Sequence, residues 1–126
     1  MIRYGYNRQI APPAPLVHVT VRSPERGTAV SDLPALSDTA ADITVIPARV
    51  AEERNLVPLD ETSIGGFDGR VSLVSTFLVR LELRESAPRV IPVVASRDDP
   101  YVLLGRDVLN DFRVVLDGPR LRLEIE

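Results

Sequence analysis

The residues with the clearest chemical potential lie in the segment S-D-T-A-A-D, residues 37–42. Apolar, β-forming segments flank it, one ending at Leu36 and one covering residues 43–46, so Asp38 is predicted to lie where a buried strand stops. A carboxylate there costs free energy unless it is paired or used in chemistry, although an aspartate at a strand end is also a common turn former. A second segment, V-L-L-G-R-D-V-L-N at residues 102–110, predicts an apolar strand that breaks at Gly105 into a short helix.

The composition restricts the chemistry that this chain could perform. Its 126 residues include no cysteine and one histidine, which leaves neither a thiolate nucleophile nor a histidine-based metal site. Hydrolysis would therefore depend on carboxylates, and we expect no cofactor. The net charge of -3 comes without a basic stripe that could follow phosphates, so we expect no nucleic-acid partner. No apolar run approaches the roughly 18 residues of a membrane span, and the mixed, polar N-terminus shows no signal peptide. We therefore expect a cytoplasmic protein without a membrane partner.

The elements around these segments are mostly short strands. The first 15 residues end in A-P-P-A-P and predict an extended arm, followed by a single domain over residues 16–126. Residues 16–22 alternate, with Val17, Val19 and Val21 on one face, which is typical of a half-buried strand. A short helix is predicted after Pro47. Further strands are predicted over residues 71–83, 90–95 and 101–104, a hairpin tip at 64–70, a short helix at 105–112 and a terminal hairpin at 113–126.

These two segments, in this order, resemble the motifs of the retroviral-type aspartic proteases, the retropepsins, in a single-domain, bacterial-like form. That family carries D-T-G-A-D and then I-I-G-R. This chain has D-T-A-A-D at residues 38–42 and L-L-G-R at residues 103–106, and it departs at Ala40, where the family usually has glycine. The resemblance covers roughly residues 16–117. It implies an all-β fold, a closed, mainly antiparallel barrel with one or two short helices, working as a homodimer.

The resemblance also implies roles for individual residues. The catalytic residue would be Asp38, with Thr39 bonding across the dimer axis and the Ala40 amide holding the carboxylate. Substrate contacts would come from residues after the triplet and from the hairpin tip, or flap, at 64–70, namely Ala41, Asp42, Ile64, Gly65, Gly66 and Phe67. Asp42 and Arg106 would form a structural ion pair, because a planar guanidinium suits a partly buried carboxylate. Asp107 has no catalytic role in this interpretation and would favour the start of the late helix.

Peptide hydrolysis without a metal needs one carboxylate to accept a proton from water and another to donate one. Two nearby carboxylates share a single proton, because like charges at that distance cannot both ionise. The chain has one such motif, so the second Asp38 is predicted to come from another copy across a two-fold axis. We therefore expect an aspartic endopeptidase that acts on extended peptide segments. Two alternatives stay open: a weak or inactive peptide-binding module, because a Cβ at position 40 can obstruct close approach, and a purely structural dimerisation domain.

Overall fold

The computed structural model of the chain describes residues 1–25, 30–65 and 68–126. Its elements are mostly strands, with two short helices, as the sequence predicts. In chain order they are β1 (Ile2–Gly5), β2 (Leu16–Arg22), β3 (Val30–Ser37), β4 (Val45–Pro47), α1 (Ala48–Glu53), β5 (Pro58–Gly65), β6 (Val71–Leu83), β7 (Arg89–Ser96), β8 (Val102–Leu104), α2 (Arg106–Leu109), β9 (Val114–Asp117) and β10 (Arg122–Ile125).

Two sheets contain all of these strands. The larger sheet has seven strands in the order β2-β3-β8-β4-β7-β6-β5, and β2 pairs with β6 as well. Its pairs are antiparallel except β3 with β8 and β4 with β7, which are parallel. The smaller sheet has the order β1-β10-β9, with both pairs antiparallel. The β3–β8 and β4–β8 pairs matter most for function, because they place residues 102–104 between the two strands that flank Asp38.

Aliphatic side chains form the core, as expected from a sequence with few aromatic residues. On β2 the predicted alternation is confirmed, since Val17, Val19 and Val21 are buried while His18 is exposed. On β6, buried and less buried side chains alternate only in the second half of the strand. Leu81 is buried, whereas Val71 and Leu73 are 69% and 71% exposed. The first half of β6 therefore extends beyond the core together with β5, to which it pairs.

The short helices begin close to the predicted positions. Pro47 is the last residue of β4 and directly precedes α1, and Gly105 directly precedes α2. No helix within the described ranges is long and apolar enough to cross a membrane. The first 15 residues contain β1, which pairs with β10 of the same chain. The division into an arm over residues 1–15 and a domain over residues 16–126 stays a prediction.

Candidate active site

Asp38 is the first residue after β3, where the alternation of the strand gives way to a turn. Its backbone N–H donates to the carbonyl oxygen of Leu104 at 3.0 Å, and its own carbonyl oxygen accepts from the Ala41 N–H at 3.2 Å. Its Oδ1 atom accepts a hydrogen bond from the Ala40 N–H at 3.1 Å. The residue is half-buried. The carboxylate is therefore oriented by a backbone amide of its own loop and still has an accessible side.

Residues 104–107 hold the segment after Asp38 in place. The Arg106 N–H donates to the Ala41 carbonyl oxygen at 2.8 Å, and the Arg106 guanidinium donates from Nη1 to the Thr39 carbonyl oxygen at 2.8 Å. Thr39 and Ala40 are exposed in the single chain, and Ala41 is half-buried. The structure thus brings together the two motifs that the sequence singled out, although 67 positions separate Thr39 from Arg106.

The predicted ion pair between Asp42 and Arg106 is corrected by the structure. Within the described parts of the chain, the two side chains form no ion pair, and Asp42 is exposed. The guanidinium instead donates to the nearby Thr39 carbonyl oxygen. A hydrated carboxylate at the surface gains little from an ion pair, whereas a loop carbonyl needs a donor. Arg106 still links the loop to α2, but through the backbone.

A second link between the loop and α2 runs through Thr44 and Asp107. The Thr44 N–H donates to Asp107 Oδ2 at 3.0 Å, and the Thr44 hydroxyl donates to Asp107 Oδ1 at 2.7 Å. The Gly105 N–H donates in turn to Thr44 Oγ1 at 3.1 Å. Sequence reasoning missed this contact. The available signals were a hydroxyl inside the apolar run I-T-V-I and an acid directly after G-R, yet nothing local showed that the two meet.

The predicted substrate hairpin is formed by β5 and β6, which pair antiparallel up to Gly65 and Val71. Beyond it, the Arg70 N–H donates to Asp68 Oδ1 at 3.0 Å, and Gly69 has a φ of 76°. Two of the predicted substrate residues, Gly66 and Phe67, lie outside the described residues.

Ile64 lies on the wall of a cavity of about 440 Å³ between this hairpin, α1 and β7. Leu73 and Phe77 also line that cavity, and Asp38 does not. In the single chain, therefore, the structure brings Asp38, Thr39, Ala40 and Ala41 together with residues 104–106. Among the described residues, no hydrogen bond joins this group to Ile64 or Gly65.

The carboxylates of Asp38 and Asp107 differ in how their oxygens are hydrogen-bonded. Both oxygens of Asp107 accept hydrogen bonds from Thr44, so Asp107 serves as an anchor for Thr44. Asp38 has one oxygen engaged by an amide. A half-buried carboxylate that is oriented by a backbone donor is suited to general acid–base chemistry.

Comparisons with known proteins agree with this geometry. The sequence profile of a family described as aspartyl protease matches residues 18–108. No curated protein sequence matches the chain significantly. Among solved structures, the chain is similar to the protease of simian foamy virus (mac), with a TM-score of 0.55 and 20% identity, covering 75% of this chain and 91% of that chain.

Two further structures show the same likeness. One is the protease of EIAV complexed with an inhibitor, with a TM-score of 0.55 and 24% identity over 78% of this chain and 86% of that chain. The other is the retroviral protease-like domain of Ddi1 from Leishmania major, with a TM-score of 0.50 and 16% identity over 89% of both chains. At these identities the likeness concerns the fold.

Proposed function

The chain belongs to the retropepsin-like branch of the aspartyl proteases, and on that premise we propose that it is an aspartic endopeptidase. Its substrates are extended peptide segments, and its catalytic group is a pair of Asp38 carboxylates from two copies of the chain. The observation that carries the proposal is the position of Asp38. It follows β3 directly, is half-buried, and is held by residues 104–106 of the second motif.

The chemistry requires two carboxylates in different protonation states. One Asp38 carboxylate takes a proton from water, which attacks the peptide carbonyl, and the other donates a proton to the leaving nitrogen. Within the described residues, Asp107 is unsuited to be the second carboxylate, because Thr44 occupies both of its oxygens. A two-fold axis beside Asp38 supplies an identical second carboxylate. Thr39 is exposed in the single chain, so its hydroxyl is free to bond across that axis.

The alanine at position 40 is compatible with activity. Ala40 is not among the described residues with a positive φ, so its backbone does not need the conformational freedom of glycine. Its N–H still donates to Asp38 Oδ1. These two observations favour the active enzyme over the peptide-binding or dimerisation module. Both alternatives remain distinguishable by experiment.

The substrate is proposed to bind as an added strand below the β5–β6 hairpin. The strand β5 ends the order of the larger sheet, so one of its edges offers backbone donors and acceptors for strand addition. Ile64 and Gly65 at the end of β5, with Gly66 and Phe67, would form the flap. Ala41 and Asp42 would contact the substrate from the opposite side. The pairing of β2 with β6 supports a closed barrel beneath this cleft.

The test is hydrolysis of a diverse peptide mixture by the wild type, Asp38→Asn and Asp111→Asn. Asp38→Asn keeps the shape of the side chain but cannot accept the proton of water, so we expect cleavage to fall by at least about 100-fold. Asp111 is a matched control, because it lies after α2 and has one weak contact, 3.7 Å from Arg89. We expect cleavage by this control to stay close to that of the wild type. Equal cleavage by Asp38→Asn and the wild type would refute the mechanism.

Two further measurements separate the alternatives. An active dyad should bind a peptide analogue with a central hydroxyl at least about 100-fold more tightly than the matching peptide, while a binding module should not distinguish them. Activity per chain should fall on dilution below the dimer dissociation constant. A constant rate down to monomer concentrations would contradict the shared site. The cytoplasmic location and the lack of nucleic-acid and membrane partners stay predictions from the sequence.

A further inference from the structure

Three residues form a closed hydrogen-bonded unit beside the loop that carries Asp38. Asp107 accepts from both the N–H and the hydroxyl of Thr44, at 3.0 and 2.7 Å, and the same hydroxyl oxygen accepts from the Gly105 N–H at 3.1 Å. Each side-chain oxygen of the unit therefore has a partner. Hydrogen bonds to a carboxylate are stronger than those between neutral groups, so Asp107 is a firm anchor.

The environment of Thr44 makes the loss of this unit costly. Thr44 is 0% exposed, and Gly105 is buried beside it. The Thr44 N–H and hydroxyl therefore lie below the surface and have their partner in Asp107, a residue that is itself exposed. A buried donor that loses its partner carries an unfavourable desolvation free energy.

The unit fixes the far end of the catalytic loop. Residues 38–44 are bonded to residues 104–107 at Asp38, Thr39 and Ala41 through the contacts described above, and at Thr44 through Asp107. At the same end, the Val94 N–H donates to the Thr44 carbonyl oxygen at 3.1 Å, and the next residue, Val45, pairs with Val94 and Leu103. Without Asp107, Thr44 loses both of the hydrogen bonds that join it to α2.

We propose that Asp107 is a positioning residue for the reaction, acting through Thr44 to hold the loop that orients the Asp38 carboxylate. This inference rests on the proposed protease function. Asp107 does not touch the reacting atoms in this scheme. A displacement of about 1 Å in a catalytic group can lower the rate by about 100-fold, and the Asp107 anchor prevents such a displacement.

The sharpest test compares two substitutions of Thr44 that differ in what they remove. Thr44→Val removes the hydroxyl and keeps the volume, while Thr44→Ser keeps the hydroxyl and removes a methyl group. We expect kcat to fall at least about 10-fold in Thr44→Val with KM changing less than about 3-fold, and to stay within about 3-fold of the wild type in Thr44→Ser. Asp107→Ala should lower kcat by about 10- to 100-fold, and Asp107→Asn, which keeps one acceptor, should restore part of the loss.

Stability and exchange measurements keep the test independent of folding. A merely structural role predicts that kcat follows the folded fraction. In that case, if Thr44→Ser is less stable than Thr44→Val, it would also be less active than Thr44→Val. Amide hydrogen exchange reports the anchor directly, and the Thr44 amide should exchange at least about 10-fold faster in Asp107→Ala than in Asp111→Asn. If Asp107→Ala fails to fold, the comparison of Thr44→Val with Thr44→Ser tests the positioning role.

The outcomes also distinguish this inference from the proposed function. A wild-type protein without peptidase activity would refute the proposed function. Unchanged exchange of the Thr44 amide in Asp107→Ala would separately refute the role of Asp107 as an anchor. An active wild type with equal kcat in Thr44→Val, Thr44→Ser and Asp107→Ala would refute the positioning role alone.

Discussion

Gly105 is the position where adding a single methyl group should do most damage to the fold and the site together. A Cβ atom built there would lie 2.8 Å from the carbonyl carbon of Ile43, and 3.0 Å from both the Ile43 oxygen and Asp107 Oδ1. The first distance is about 0.6 Å short of the 3.4 Å at which ordinary contact begins. The requirement for glycine is steric, because its φ of -84° and ψ of 179° suit any residue.

The expected loss of stability in Gly105→Ala follows from the atoms that must move to make room for the new methyl group. Two of the three close atoms belong to the backbone of Ile43, so no side-chain rotation can relieve the overlap. Overpacking of this kind costs about 1–3 kcal/mol, and loss of the hydrogen bond from Gly105 to Thr44 adds about 1 kcal/mol. Gly105→Ala should therefore lower the free energy of unfolding by about 2–4 kcal/mol. For a chain of this length that corresponds to a fall in Tm of roughly 8–16 °C.

Urea unfolding followed by circular dichroism, at one fixed chain concentration, measures this difference. Gly118→Ala is the matched control, since a Cβ there meets nothing within 4 Å and Gly118 has no positive φ. We expect the control to change stability by less than about 0.5 kcal/mol. Equal stability of the two variants would show that Gly105 and Ile43 are not in close contact, and would refute the steric reasoning.

Three other substitutions probe the surroundings of the site and the distal sheet. The Ser37 hydroxyl is buried without a hydrogen-bond partner among the described residues, so Ser37→Ala should raise the free energy of unfolding by about 1 kcal/mol. Urea titrations measure the change, and a loss of stability would contradict this expectation. Arg106→Ala should cost no more than about 1 kcal/mol in the same assay, because its hydrogen bond to the Thr39 carbonyl oxygen is exposed and water can replace it; a loss of about 3 kcal/mol or more would contradict this. The Arg120 side chain donates to Asp117 and lowers the pKa of that carboxyl below 3.8. Its contribution to stability is present above pH 3.8 and is lost as the pH falls through the lowered pKa. Arg120→Ala should raise the pKa of Asp117 in an NMR titration, and an unchanged titration would refute the pairing.

The sequence predicted well those features that depend on near neighbours. The alternation over residues 16–22 predicted β2 with its buried and exposed faces, and the same reasoning found β6 and the terminal hairpin. The position of Asp38 at the end of a strand also followed from local pattern. Such features are predictable because a strand's side chains alternate with a period of two residues whatever the strand pairs with.

Features that depend on distant pairing were not predictable in the same way. The parallel pairs β3 with β8 and β4 with β7 join segments far apart in the chain, and nothing in an apolar strand identifies its neighbour. The exposure of Val71 and Leu73 has the same origin. They lie at alternate positions of β6, like the buried Val79 and Leu81, but the core ends before it reaches them.

The misassigned ion pair shows why the choice of partner is harder to predict than the presence of a link. The sequence indicated a link between the catalytic loop and α2 through an ion pair of Asp42 and Arg106, because a planar guanidinium suits a partly buried carboxylate. In the structure the loop supplies a buried Thr44 and the segment supplies Asp107. A buried hydroxyl and amide must find a partner, whereas an exposed carboxylate such as Asp42 can be solvated by water. Asp42 and Asp107 are both exposed, so the difference lies in the buried Thr44. Its burial depends on the whole fold, and a pattern of charges along the chain carries little information about it.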